Sequence, residues 1–341
     1  MSARRPTILL ITVAVALLAA AAAVRLVVAP NVTKLPGDTD QTVQYAGEAT
    51  LLDGKALQSG DTAHALRSGV PVTVDRRIRV TSTHGDTAVL EDTMTVHAGK
   101  QSLPSSKTYA IDRESRKGTS PPASTPAEPS RGALSSAFPP GAAQDDSYTY
   151  YDATTRSIVP VHYTGTARRE GRTVNVYEIK VSAPVKDPAT LEPLPSALPK
   201  KLVASLIPGL DSTARARFTP TVLSALPDPV PLSYLGQSTL VAYIDQQTGI
   251  AIDQTVSRKV VAVVTTAGSE PARPVPLLPV NALTFGITAD SMKELGDKAE
   301  SAGLKLSLLT VAAPIVLAVV AVLLLVIAFL RRHRAPLRTP D

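Results

Sequence analysis

The chain of 341 residues contains no cysteine and no tryptophan, and only four phenylalanines. Without cysteine it forms no disulfide, no thiolate metal site and no thiol nucleophile. Aromatic residues make up 4% of the chain. That is too few for the aromatic girdles which a transmembrane β-barrel places at both membrane interfaces. Catalytic patterns are missing as well. No G-x-S-x-G or H-E-x-x-H run is present, and the five histidines are widely spaced. No glycine-rich loop is placed to cradle phosphate. The pairs Asp38/Asp40 and Asp145/Asp146 are too small to hold a hard cation and read as solvated loop residues. No enzyme activity, catalytic residue, metal site or cofactor is therefore expected.

Long uncharged runs occur at both ends. Arg4 and Arg5 precede an apolar stretch from Ile8 to Val24, and Arg25 interrupts it before Leu26–Ala29. This reads either as a signal peptide, with Ala19–Ala23 as a small-residue cleavage region, or as an uncleaved anchor near spanning length. Leu306–Leu330 carries no charge and is long enough to span a bilayer. Arg331, Arg332, Arg334 and Arg338 follow it. Basic residues beyond both runs predict cytoplasmic tails and an extracytoplasmic middle, with the protein integral to the cytoplasmic membrane. Seven of the 35 basic residues and one of the 29 acidic ones lie in these end segments. The region between them holds 28 of each and is neutral, although the whole chain carries +6. The basic pI therefore reports the ends, and no nucleic-acid surface is expected.

Six divisions follow: a tail (1–6), a transmembrane helix or signal anchor (7–29), an extracytoplasmic β-rich domain (30–287), a membrane-proximal helix (288–305), a transmembrane helix (306–330) and a basic tail (331–341). Ser291 and Glu294 have the spacing of a capping box for the membrane-proximal helix. In the large division apolar and polar residues alternate. Val72–Thr83 and Thr87–Ala98 flank His84-Gly85-Asp86, and Val159–Arg169 and Arg172–Ala183 flank Glu170-Gly171. Each pair reads as a hairpin. A third hairpin turns at Asp245–Gly249. The fold class expected is mostly β, a large curved antiparallel sheet with a few short helices between terminal membrane helices.

"YAIDRESRKG", "YYDATTRSIVP" and "YIDQQTGIAI" share an aromatic residue, an aspartate and polar turn residues. They leave an internal duplication open. Asp245 and Asp253 read as hairpin residues, because Asp side chains bond nearby backbone groups. The Pro/Ser-rich stretch at 115–131 reads as a mobile loop, and Ser269–Ala282 as a Pro-rich connector. Leu202–Leu210 and Thr221–Leu235 have near-helical apolar spacing and are candidate covers for an apolar sheet face. An elongated apolar cavity is expected beneath them. Val174, Val176, Leu240, Val241, Ile250 and Ile252 are candidate lining or core residues, and alternation turns adjacent ones to opposite faces.

The segments "KLPGDTDQTV", "AFPPGAAQDDSYTYYDATTRSIVPVHYTGT", "VAYIDQQTGIAID" and "LTFGITADSMKELGDKAESAGLKLSLL" resemble an actinobacterial family of two-span proteins called the porin PorA family. The resemblance covers nearly the whole chain. It implies two terminal spans, a large outside domain and a link to lipid handling and lipoglycan synthesis in the cell envelope. It brings no catalytic motif. The Y-I-D-x-x-T-G turn is similar to hairpins of periplasmic lipoprotein carriers, whose curved sheets hold acyl chains. The expected partners are membrane lipids or polyprenyl lipids. The alternative is a scaffold for envelope biosynthesis enzymes without a ligand of its own. A pore fits less well than either.

Overall fold

The computed structural model describes residues 4–333 apart from 60, 62–63, 100, 124, 211 and 266–273. It divides into two compact units, Met1–Leu35 with Asp297–Asp341, and Pro36–Gly296.

In the first unit, helix Arg4–Ala23 continues through a π-helical turn, Val24–Val28, into Ala29–Val32. A second π-helical turn, Leu308–Ala312, precedes helix Ala313–His333. Arg25 does not end the N-terminal helix. Its Nη1 donates to the carbonyl of Thr310 at 3.3 Å, joining the two π-helical turns. A π-turn disturbs the regular backbone ladder, so its carbonyls are natural acceptors for such a side chain. Thr7–Val32 and Ala289–Arg331 are long and apolar enough to cross a membrane.

Among the described residues, the second unit has twelve strands: β1 (Asp40–Leu52), β2 (Leu66–His84), β3 (Thr87–Ala98), β4 (Gln101–Asp112), β5 (Thr149–Asp152), β6 (Ser157–Arg169), β7 (Arg172–Pro184), the two-residue β8 (Ala197–Leu198) and β9 (Val230–Pro231), β10 (Ser233–Asp245), β11 (Ala251–Thr265) and β12 (Pro274–Ile287). Ten form one curled antiparallel half-barrel in the order β4-β3-β2-β1-β12-β11-β10-β7-β6-β5. The sheet is a meander apart from the β1–β12 pairing and the insertion between β7 and β10. All three expected hairpins form. At the β6–β7 corner Glu170 and Gly171 both have positive φ (46° and 72°), the conformation of the tight turn whose twist matches its strands.

Three expectations are corrected. Residues 274–282 of the Pro-rich connector form the first part of β12, a central strand between β1 and β11, and 269–273 lie outside the described residues. Its prolines are accommodated where the β11–β12 register shifts, at Val260/Val261 and Ala262/Val263. The Pro/Ser stretch is not a free loop: Gly118 donates to the Ala133 carbonyl, Thr119 to Ala110 and Glu128 to Thr108. Single bridges join Ile111 to Gly118, Gly118 to Arg131 and Leu134 to Tyr150, so this segment links edge strand β4 to edge strand β5. The helix Ala289–Ser307 is capped earlier than expected. Thr288 Oγ1 accepts from Ser291 N, and Ser291 Oγ is taken by the backbone N–H of Gln44 in β1.

Between β7 and β10 the chain forms short helices Lys200–Leu206, Ser212–Arg217 and Pro220–Ala225. Val203, Leu206, Ala214, Phe218 and Leu226 bury against Val260, Ala262, Val264, Val275 and Leu277 of the sheet. Burying each of the valine, leucine and phenylalanine side chains contributes about 1.5–3 kcal/mol. The helices are too short to be stable alone, so this apolar face holds them.

Candidate functional site

Two of the spaces that border the sheet bear on function. The first is an apolar groove of about 730 Å³. Ser205, Leu206, Gly209 and Leu210 form its helical side, and Leu235, Val261, Leu277 and Leu278 are among its sheet residues. It lies beside the segment Leu202–Leu210, where an apolar cavity is expected from the sequence. Of Thr221–Leu235, only Leu235 borders it. Its size falls in the range of small-molecule sites.

The second space, of about 160 Å³, was not expected. It touches β1 through Tyr45, β2 through Arg76, β3 through Asp92, β4 through Lys107 and β5 through Tyr150. It also touches β10, β11 and β12 through Leu240, Arg258 and Phe285. A space reached by both edge strands lies within the curl of the sheet. Apolar clusters flank it: Val43, Val74, Phe285 and Ile287 belong to one, and Val161, Tyr177, Ile179 and Ile244 to another.

Its charges are mostly paired. Arg76 donates to both Asp92 oxygens, through Nε at 2.9 Å and Nη2 at 2.6 Å, and Ser136 Oγ donates to the same carboxylate at 3.0 Å. Burial acts to lower the Arg76 pKa, but the Asp92 carboxylate outweighs it and holds the value well above the ordinary one. Lys107 Nζ lies 2.6 Å from Asp187 and 3.7 Å from Glu128. Burial raises the Tyr150 and Tyr45 hydroxyls, so both remain protonated donors at neutral pH. Tyr45 donates to Gln254 Oε1 at 2.9 Å.

The six residues singled out from sequence do not form one lining. Leu240 borders the interior cavity and packs with the apolar clusters beside it. Ile250 packs with Val43 and Phe285. Val174 and Ile252 are fully buried. Val176 and Val241 stand opposite Tyr243 and Glu178 on neighbouring strands. None of the six borders the apolar groove. Alternation separates Val241 from Leu240, and the groove draws on the far ends of β11 and β12. Sequence reasoning missed the interior cavity because its residues come from eight strands. One trace was present: Arg76 lies between Val74 and Ile78, and Arg258 between Val256 and Val260, each a cation in the apolar phase of its strand.

Asp245 and Asp253 do not converge on a reaction centre. Asp245 accepts from Thr248 N and Oγ1, both at 2.8 Å, and pairs with Arg172 at 2.9 Å. Asp253 pairs with Arg169, whose guanidinium lies 4.0 Å from the centre of the Tyr243 ring. Asp40 opens β1 and pairs with Arg77, and Asp146 accepts from the backbone of Tyr163. No cluster of three metal-ligating residues exists among the described residues.

No curated protein matches the chain. Solved structures that align with it include the full-length peroxisomal multifunctional enzyme type 2 from Drosophila melanogaster, 6% identical over 72% of this chain and 37% of that one. Another is the acyl-CoA thioesterase II TesB2 from Mycobacterium marinum, 11% identical over 73% of this chain and 80% of that one. Each has a TM-score of 0.14, at which the likeness carries no argument. The family model described as Porin PorA matches residues 7–330, taking in both apolar terminal helices and the whole sheet between them, and the chain therefore belongs to the Porin PorA family.

Proposed function

We propose that this protein is a membrane-anchored lipid-binding protein of the cell envelope, with the half-barrel outside the cytoplasm and lipid chains taken into the groove beside helix Lys200–Leu206. The observation that carries the reading is the groove itself, an apolar space of about 730 Å³ walled by Leu206, Leu210, Leu235, Val261, Leu277 and Leu278. Each methylene moved from water into such a space gains about 0.8 kcal/mol, so a partly buried acyl or polyprenyl chain is held usefully. The two apolar helices supply the anchor. Both ends of the sheet order, β4 and β5, are strand edges that do not pair directly with each other among the described residues. That argues against a pore made by this chain alone, since a membrane barrel needs a closed ladder. Lipid handling in support of lipoglycan synthesis is the role this reading favours.

The test uses the full chain in detergent micelles and a fluorescent fatty acyl probe. Leu210→Glu places a charge in the groove at a partly buried position, and it is expected to weaken probe binding by about tenfold or more while the protein stays folded. Undiminished binding by the folded variant would place the lipid site elsewhere.

A further inference from the structure

The interior cavity is supplied with more hydrogen-bond donors than its own acceptors use. Among the described residues, the Arg258 guanidinium has no hydrogen bond and no carboxylate at ion-pair distance, and its Nε is buried without a partner. Ser135 Oγ is buried without a partner in the same wall. The Tyr150 hydroxyl and the Gln254 amide N–H groups, which also face this space, meet no acceptor among the described residues. Of the cavity's carboxylates, Asp92 is taken by Arg76 and Ser136. Asp187 is taken by Lys107 and Thr190. Asp152 directs one oxygen to Thr155, leaving the other as the competing acceptor. Arg258 is half-buried, with its Nε shielded from water and no acceptor beside it among the described residues. A guanidinium with hydroxyl and amide donors around it matches a tetrahedral oxyanion. At roughly 30 Å³ per water, the cavity has room for about five waters, enough for such a group.

We infer that the interior of the half-barrel is a binding site for a phosphate-type oxyanion, held by Arg258 with the Ser135, Tyr150 and Gln254 donors. The anion is either free phosphate or the phosphodiester headgroup of a lipid. The second source rests on the lipid-binding reading above.

The experiment titrates full-length protein in detergent micelles with three probes: inorganic phosphate, phosphatidylglycerol and diacylglycerol. The last has the chains without the phosphate. Arg258→Met is expected to weaken the phosphate-bearing probes by about tenfold or more, the scale of a charged hydrogen bond, and to leave diacylglycerol unchanged. Without anion, Arg258→Met is expected to melt close to the wild type, since no carboxylate among the described residues pairs with Arg258 and no ion pair is lost. Should it misfold, Tyr150→Phe decides the matter by a severalfold weakening, and unchanged affinity would overturn the proposal. Binding of inorganic phosphate alone, lost in Arg258→Met, supports the anion site while removing the lipid reading. Equal binding of phosphatidylglycerol and diacylglycerol, unaffected by Arg258→Met, overturns the anion site and leaves the lipid reading standing. No binding of any probe overturns both.

Discussion

Asp245 lies at the corner between β10 and β11, and its carboxylate does two things there. One oxygen accepts from Gln247 N, Thr248 N and Thr248 Oγ1, and both engage the Arg172 guanidinium. The same D-x-x-S/T arrangement recurs at Asp112–Ser115 and Asp152–Thr155, each with the carboxylate accepting from the backbone and hydroxyl three residues on. From the sequence, Asp245→Asn is expected to cost little, because Asn keeps the turn acceptors. The structure raises that expectation: the charged pair with Arg172 is lost at a site where Asp245 is 1% exposed. A cost of about 1–3 kcal/mol follows, read as a lower melting temperature with the site chemistry unchanged. Gly249→Val is expected to cost more. Gly249 has φ of 74°, and a Cβ there would meet the Phe138 and Pro139 carbonyl oxygens at 2.5 and 2.6 Å. A Gly249→Val protein melting with the wild type would contradict this reading of the corner.

At the scale of elements, the Pro/Ser stretch links the two sheet edges, and Lys107 ties edge strand β4 to Asp187, just beyond β7. Gly118 lets the chain pass against Ser130, whose carbonyl oxygen would lie 2.1 Å from an added Cβ. Gly118→Val is expected to detach the segment and make residues 118–131 the first site of limited proteolysis, and an unchanged cleavage pattern would count against its structural role. The Lys107–Asp187 tie gives a pH expectation. Burial acts to raise the Asp187 carboxyl, but Lys107 and Thr190 outweigh it and hold the value below the ordinary 3.8. A carboxyl lowered by folding contributes stability above its unfolded value, and that contribution is lost as pH falls through the folded one. Hydrogen exchange of β4 is therefore expected to rise below about pH 3.8, and Asp187→Asn is expected to remove that step. The strands that flank Gly turns, β2 with β3 and β6 with β7, were legible from sequence through those turns. β1 was not, because "DQTVQYAGEATLL" mixes small and polar residues on a strand paired along both sides. β12 was not, because its prolines argue against a central strand until the facing bulges are seen.

For the whole molecule, the sequence made the mostly β class and the two apolar ends readable, since charge and hydropathy are written locally. The interior cavity was not readable, because it exists only once residues as distant as Tyr45 and Phe285 share one curled face. The anchor reading expects reporter fusions at Thr125 and Asp341 to report opposite sides of the membrane, Asp341 cytoplasmic and Thr125 outside. A cytoplasmic reporter active at Thr125 would overturn that topology.

The proposal that the half-barrel unit holds lipid is tested by native mass spectrometry of the full-length protein released from its own host's membranes. A discrete lipid adduct that survives detergent exchange and is diminished in Leu210→Glu is expected. Wild-type protein that is folded, free of adduct and unable to take up added lipid would contradict it.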